Sequence, residues 1–186
     1  MDPISQLEIL PYTHHPASFH EWDPRAPAVA SLLARAIEAG NPEVTVEHVG
    51  STSVPGCGGK GIIDLMVIYP AGHLDRARDM LDRSGFQHQA GRDPFPEDRP
   101  MRVGAVRYDD TEFRLHVHVI AADSHEVAEF RTFRDALLGS PELINAYVAR
   151  KREILAAGIT DSLDYTHEKS PFCQDVLRGG SPLTSV

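Results

Sequence analysis

The sequence predicts an α+β fold, with a mixed, mostly antiparallel sheet covered by helices and followed by a C-terminal helical tail. Apolar runs of strand length with period-two alternation crowd into the middle of the chain, while from Asp123 onward apolar residues recur at helical spacing. Because strands and helices are segregated along the chain, the class is α+β. We expect the sheet core over about 43–121, the helical tail over about 123–178, and one domain over 1–186.

The first half of the chain supplies the sheet and the helices that cover it. Asp23-Pro24 marks a helix start, and Gly40 ends the apolar periodicity that follows. We expect strands over 43–49, 62–69, 86–89, 101–108 and 112–121, with a crossover helix over 74–84. The compact turn Asp109-Asp110-Thr111 predicts that the last two strands form a hairpin.

Helix-start signals divide the tail into three predicted helices. Asp123 with Glu126 resembles a capping box. Ser140-Pro141 opens a second helix that should end near residue 158, and Ser170-Pro171 opens a last, short one.

Composition and charge restrict the function. The net charge of −9 disfavours polymeric nucleic acid and anionic membranes as partners. Residues 71–120 are nearly neutral, with nine acids and eight arginines, so a small phosphate-containing ligand remains compatible. With two cysteines, no signal-peptide pattern and no apolar run of about 20 residues, we expect a cytoplasmic protein.

Ionisable side chains share faces of the predicted strands. Asp64 interrupts an apolar strand, and a buried carboxylate is costly unless it is paired or ligates a metal. Arg114, His116 and His118 share one face of the last strand, where two histidines beside a carboxylate could ligate a metal or act in catalysis. His48, on a further strand, is another candidate metal ligand. The alternative is that this face is simply exposed to solvent.

A glycine- and serine-rich turn, Gly50-Ser51-Thr52-Ser53, follows a strand directly. Its backbone N–H groups and hydroxyls could hold an anion, and Lys60 could meet a phosphate as a point charge. Arg114 could bind phosphate or carboxylate. The alternatives are an ordinary tight loop and a surface arginine. The motif G-x-S-x-G is absent, which argues against a Ser-His-Asp hydrolase, whereas a Cys57 thiol nucleophile stays open.

Several sequence blocks resemble the signature of the GrpB family. The first half carries VEHVGSTSVPG over 46–56, then Lys60, then IIDL over 62–65. The second half carries LHVHV over 115–119, FRD over 133–135 and PEL over 141–143. Tyr147, Lys151, Tyr165 and the run KSPF over 169–172 are similar to its later helices. The resemblance covers nearly the whole chain.

The resemblance implies a fold similar to the DNA polymerase beta-like nucleotidyltransferases. In that superfamily a Gly-Ser turn precedes a strand with two acids, and a third acid sits on a neighbouring strand. These acids hold Mg²⁺ against a nucleoside triphosphate. Carried over, Gly50-Ser51 match the turn and Asp64 matches the first acid, while Met66 occupies the second acid position and the third corresponds to the His116 or His118 region.

These departures leave two functions open. The first is metal-dependent nucleotide binding or nucleotidyl transfer to an unknown acceptor, with Mg²⁺ or Mn²⁺ implied by the resemblance and zinc or a similar metal favoured by histidine ligands. The second is a catalytically degenerate fold that binds a metal, an anion or a protein partner.

Overall fold

The computed structural model describes residues 8–180, so the two ends of the expected domain lie outside the described part. It confirms the α+β class. The five helices within that range are α1 Ala26–Gly40, α2 Leu74–Arg83, α3 His125–Leu138, α4 Pro141–Ala156 and α5 Ser162–Leu177. The five strands are β1 Thr45–Val49, β2 Ile63–Tyr69, β3 Gln87–His88, β4 Met101–Tyr108 and β5 Thr111–Ala121.

The strands form one mixed sheet in the order β1-β2-β5-β4-β3. Only the central pair, β2 and β5, is parallel; the other three pairs are antiparallel, which confirms the mostly antiparallel expectation. The hairpin between β4 and β5 is also confirmed. Asp109 and Asp110 both have positive φ, at 49° and 57°, as the tight two-residue hairpin turn requires.

The two faces of the sheet bury different cores. The larger core includes Leu33 of α1, Leu81 of α2 and Leu65 of β2. On the opposite face, Met66 of β2 packs in a smaller cluster with Val127 of α3. Because side chains alternate along a strand, Asp64 lies on the smaller-core face with Met66. The open part of this face becomes the floor of the site.

The start of the last helix differs from the expectation. Helix α5 begins at Ser162, and Asp161 caps it by accepting hydrogen bonds from the N–H groups of Leu163 and Asp164. Pro171 therefore lies inside the helix, where Ser170 Oγ donates to the carbonyl of Thr166 at 2.7 Å. The expected start at Ser170-Pro171 is therefore wrong, because the helix is already formed there and Phe172 packs its far end against Tyr147 of α4.

Another cap also differs by one residue. Ser124, and not Asp123, caps α3, since its side chain accepts from the N–H of Glu126. Ser140 caps α4 as expected. Among residues 8–180 no helix combines the length and the apolar character that a membrane span needs.

Candidate functional site

A cavity of about 1320 Å³ opens over the smaller-core face of the sheet. Its walls come from the N-terminal segment, the turn after β1, the loop between β3 and β4, and helices α3 to α5. Eight of the sequence-predicted site residues line it: Gly50, Ser51, Thr52, Lys60, Asp64, Arg114, His116 and His118. The structure therefore brings together most of the predicted set, which runs from His48 to His118 in the sequence.

Asp64 and the two strand histidines meet at the floor of this cavity. Parallel pairing places Asp64 beside His116 and Met66 beside His118. Asp64 Oδ1 lies 3.5 Å from Nδ1 of His116 and 3.6 Å from Nε2 of His118. One carboxylate oxygen thus faces two imidazole nitrogens, and the three groups form the Asp64 cluster.

The electrostatics of the Asp64 cluster keep the carboxylate ionised. Burial acts to raise the pKa of Asp64, but the neighbouring His116 and His118 outweigh it, so that pKa lies well below its usual range. Burial lowers the pKa of His116 against the opposing pull of Asp64. At neutral pH the cluster is therefore an anionic oxygen next to a neutral His116 imidazole.

Aromatic side chains hold the two histidines in place. The Tyr12 hydroxyl lies 3.1 Å from Nε2 of His116, and burial raises the pKa of Tyr12, so this phenol stays protonated and can donate. The rings of Phe95 and Phe130 lie 5.8 and 5.1 Å from the ring of His118. The Nδ1 atom of His118 is buried and has no hydrogen-bond partner within the described residues.

The Gly-Ser turn approaches the Asp64 cluster closely. Gly50 has φ of +72°, and a Cβ atom added there would lie 2.5 Å from Asp64 Oδ2. Glycine is therefore required at this position, because any side chain would strain the backbone at this φ and would clash with the Asp64 carboxylate. Thr52 and Ser53 serve the turn itself: Thr52 Oγ1 donates to the carbonyl of Ile62, and Ser53 Oγ donates to the carbonyl of Gly50. Ser53 does not line the cavity.

His48 does not join the Asp64 cluster, contrary to its expected place among the metal ligands. It pairs across the sheet with Leu65, whereas Asp64 pairs with Val49, so His48 points to the opposite face. Its Nε2 lies 2.9 Å from Thr52 Oγ1. Burial lowers the pKa of His48 to about 4, which makes it a neutral hydrogen-bonding residue under the turn.

Lys60 and Arg114 both reach the cavity wall. Lys60 Nζ donates to Ser162 Oγ at 2.9 Å, and Arg114 Nη2 donates to the carbonyl of Lys60 at 3.1 Å. Burial lowers the pKa of Lys60 to about 8, with repulsion from Lys169 adding to this effect. These side chains are positioned to offer positive charge to a ligand.

Two cavity residues received no role from the sequence. Lys151 of α4 is only 2% exposed and contacts Ser51 Oγ at 3.2 Å. Tyr12 belongs to the irregular N-terminal segment, whose backbone bridges to β4 through Leu10. Lys151 did carry a signal, because it occupies a position between Tyr147 and Ile154 on the apolar stripe of its helix. Tyr12 carried none, since its contact with His116 spans 104 positions.

The donor chemistry of the Asp64 cluster separates the expected metals. Magnesium prefers an all-oxygen shell, and the cluster offers one carboxylate with two imidazoles, while apolar Met66 is fully buried at the second acid position. The cluster does not fit Mg²⁺. Oxygen and nitrogen donors suit zinc and similar metals, whose donors in a tetrahedral site lie roughly 3.4 Å apart. As placed, however, no three His, Cys, Asp or Glu side chains of residues 8–180 form a ready-made metal site.

Comparison with known proteins decides the family. The family model described as "GrpB protein" matches residues 15–179. The chain belongs to the GrpB family. A curated relative of this chain, the UPF0157 protein of Pseudomonas aeruginosa, is 29% identical to it over 172 residues. The match covers 92% of this GrpB-family chain and 66% of the relative.

The fold is shared with a solved structure of a GrpB protein. The crystal structure of the conserved protein GrpB from Enterococcus faecalis matches with a TM-score of 0.64 and 22% identity, covering 87% of this chain and 98% of that one. Cid1 poly(U) polymerase matches with a TM-score of 0.38 and 13% identity, covering 71% of this chain and 43% of that one. Membership in the GrpB family establishes the family and the fold of this chain. The function proposed below rests on the geometry of the site.

Proposed function

We propose that this GrpB-family chain binds a nucleoside triphosphate together with a divalent transition metal in the cavity, as a nucleotidyltransferase-like protein acting on an unknown acceptor. The observation that carries the proposal is the convergence of two imidazoles on Asp64 Oδ1 in the cavity that also contains the Gly-Ser turn, Lys60 and Arg114. Carboxylate and imidazole donors of the kind that zinc takes, together with phosphate-binding groups in one cavity, are the parts that phosphoryl chemistry needs.

The metal would be held by Asp64, His116 and His118. Bound there, it would supply Lewis-acid polarisation of a phosphoryl oxygen. Tyr12 has a supporting role, because its hydroxyl holds the far nitrogen of His116 and so fixes the orientation of that ring. Binding through Nδ1 of His116 requires that nitrogen to be unprotonated, and the lowered pKa of His116 favours this state.

The phosphate-binding roles fall to the turn and the two cations. Ser51 lines the cavity and offers a hydroxyl, while the backbone of Gly50 lies against the Asp64 carboxylate. Lys60 and Arg114 supply countercharge from the neighbouring wall. In the same proposal, the net charge of −9 keeps polymeric nucleic acid away, and the two free cysteines fit a reducing cytoplasm.

A thermal-shift series with matched variants tests this function. We expect ATP, CTP, GTP or UTP with Zn²⁺ or Mn²⁺ to raise the melting temperature, since a ligand at 100 times its Kd stabilises by about 2.7 kcal/mol. His116→Ala and His118→Ala should lose bound metal by elemental analysis. His125→Ala, which removes a surface histidine, should keep it. Unchanged metal content in both cluster variants, or no shift with any nucleotide at millimolar concentration, would reject the proposal.

A second candidate function is a binding module without catalysis. Met66, fully buried in an apolar cluster where the resemblance expects an acid, favours it. Assays of pyrophosphate release decide between the two. The assays are run with each metal and with cell extracts as a source of acceptors. Nucleotide binding without pyrophosphate release supports the binding module. Pyrophosphate release that depends on His116 and His118 supports the transferase.

A further inference from the structure

Every lysine of the chain lines the same cavity. The sequence has three lysines among its 186 residues, and Lys60, Lys151 and Lys169 all contribute to the cavity wall. They come from the loop before β2, from α4 and from α5. A residue type that is usually scattered over a protein surface is here gathered on the side of the cavity formed by the helical tail.

These lysines lack the partners that the arginines have. Among the described residues 8–180, eleven of the fifteen arginines have a carboxylate within 4.0 Å. Among residues 8–180 none of the lysines pairs with a carboxylate within that distance, although acids outnumber bases by 27 to 18. The missing countercharge therefore reflects placement and not a shortage of acids.

Lys151 shows the consequence most clearly. Its side chain is 2% exposed. In the described part of the chain its ammonium contacts only neutral groups: the carbonyl of Gly58, Ser51 Oγ at 3.2 Å, Cys57 Sγ at 3.4 Å and the ring of Tyr147 at 4.2 Å. A buried cation without an anion is costly. An anionic ligand in the cavity would supply the countercharge that Lys151 lacks among residues 8–180.

Lys60 and Lys169 place further positive charge near Lys151. Lys60 Nζ lies 5.3 Å from the ring of Tyr165 and donates to Ser162 Oγ, again with neutral partners only. Burial, followed by repulsion from Lys169, lowers the pKa of Lys60, and burial lowers that of Lys151 to about 8, with Lys169 again adding repulsion. Lys169 thus lies within electrostatic reach of both Lys60 and Lys151, and an anion beside these ammonium groups would relieve the repulsion.

We propose that Lys60, Lys151 and Lys169, with the hydroxyls of Ser51 and Ser162, form a polyphosphate subsite on the helical side of the cavity. The inference deepens the proposed function by assigning the charged end of its ligand, but it does not depend on the metal. Three compact ammonium charges match the three to four negative charges of a di- or triphosphate group, and lysine binds phosphate as a point charge. Its ligand class is therefore a nucleoside or sugar polyphosphate and not a neutral or singly charged metabolite.

Isothermal titration calorimetry on the metal-free 186-residue protein tests the subsite. The ligands are inorganic tripolyphosphate and pyrophosphate. Orthophosphate, with less charge, and citrate, with a different shape, serve as comparison ligands. We expect tripolyphosphate to bind more tightly than orthophosphate and citrate. Lys169→Met, on a half-buried side chain, and Lys151→Met should each weaken it roughly tenfold or more, the loss expected for one charge-assisted contact. Arg107→Met removes an exposed arginine outside the cavity and should leave binding unchanged.

The outcomes separate this inference from the proposed function. No binding of tripolyphosphate at millimolar concentration, equal binding by the lysine variants, or preference for citrate would overturn the subsite. The metal-free parent protein should bind tripolyphosphate, because the Asp64 cluster is not needed without metal. If it does so while elemental analysis after reconstitution finds no bound metal, the subsite stands and the metal-dependent function fails.

Discussion

Lys151 Nζ lies 3.2 Å from Ser51 Oγ, joining two residues that are 100 positions apart in the chain. The contact ties α4 to the turn after β1, and Gly59 leaves room for it, since a Cβ added at that glycine would lie 3.2 Å from the same nitrogen. The helical tail is thus connected to the sheet through a group that faces the cavity. Lys151 therefore contributes both to the packing of the helical tail on the sheet and to the wall of the proposed ligand-binding cavity.

Lys151→Met should separate those two roles. Methionine fills a similar volume without a charge, so the desolvation cost of the ammonium disappears along with its hydrogen bonds. We expect a free energy of unfolding within about 1 kcal/mol of the parent, or higher, measured by denaturant titration. A loss well above this would mean that Lys151 is mainly structural.

Arg102→Met should behave in the opposite way. Arg102 is fully buried, as Lys151 is, but it donates to Asp82 and to Glu97 and so anchors the loop between β3 and β4. Removing it takes the buried partner from Asp82 and Glu97. These carboxylates are 33% and 48% exposed and keep contacts to His88 and Arg78, so we expect a loss of about 1–2 kcal/mol. Equal stability of this variant and the parent in the same titration would contradict the assignment.

Gly50→Ala should damage the site more than its matched control. Both Gly50 and Gly56 have positive φ, at 72° and 79°, so alanine costs about 1–2 kcal/mol at either position. Only Gly50 adds a clash, because its Cβ would lie 2.5 Å from Asp64 Oδ2, whereas Gly56 has nothing within 4 Å. Denaturation and zinc content should therefore show a larger loss for Gly50→Ala, with metal retained in Gly56→Ala.

Arg92→Ala should loosen the loop between β3 and β4. Arg92 Nη2 lies 2.6 Å from Asp161 and 2.8 Å from Asp164, so it links the loop to the start of α5 across the cavity. All three side chains are exposed, and global stability should hardly change. Limited proteolysis should cut the loop faster in the variant than in the parent. In the parent, cleavage should be faster at high salt than at low salt, because salt screens the ion pairs. Equal cleavage rates would show that the link does not restrain the loop.

His48 should make the protein less stable in acid. Its folded-state pKa of about 4 lies below the ordinary value of 6.5, mainly because of burial, so the unfolded chain binds the proton more readily. Its contribution is present above pH 6.5 and is lost as the pH falls toward 4, by on the order of 3 kcal/mol. His48→Gln should flatten this part of the stability curve, measured by denaturation between pH 7 and 4.

Local patterns were sufficient for most of the fold. The compact turn Asp109-Asp110-Thr111 predicted the β4–β5 hairpin, and Ser140-Pro141 predicted the start of α4. The same signals failed at α5, because Pro171 is accommodated within a helix that Asp161 caps ten residues earlier. A capping signal is local, but whether a helix continues through a proline depends on what the helix packs against.

The candidate site was likewise predictable from the sequence only in part. Strand periodicity by itself determined that Arg114, His116 and His118 share a face, because side chains alternate along any strand. Only the tertiary structure decided that His48 points away from Asp64, since this follows from the register between β1 and β2. It also decided that three lysines share one cavity, because that grouping depends on how the helical tail packs over the sheet, and no local pattern encodes such a contact.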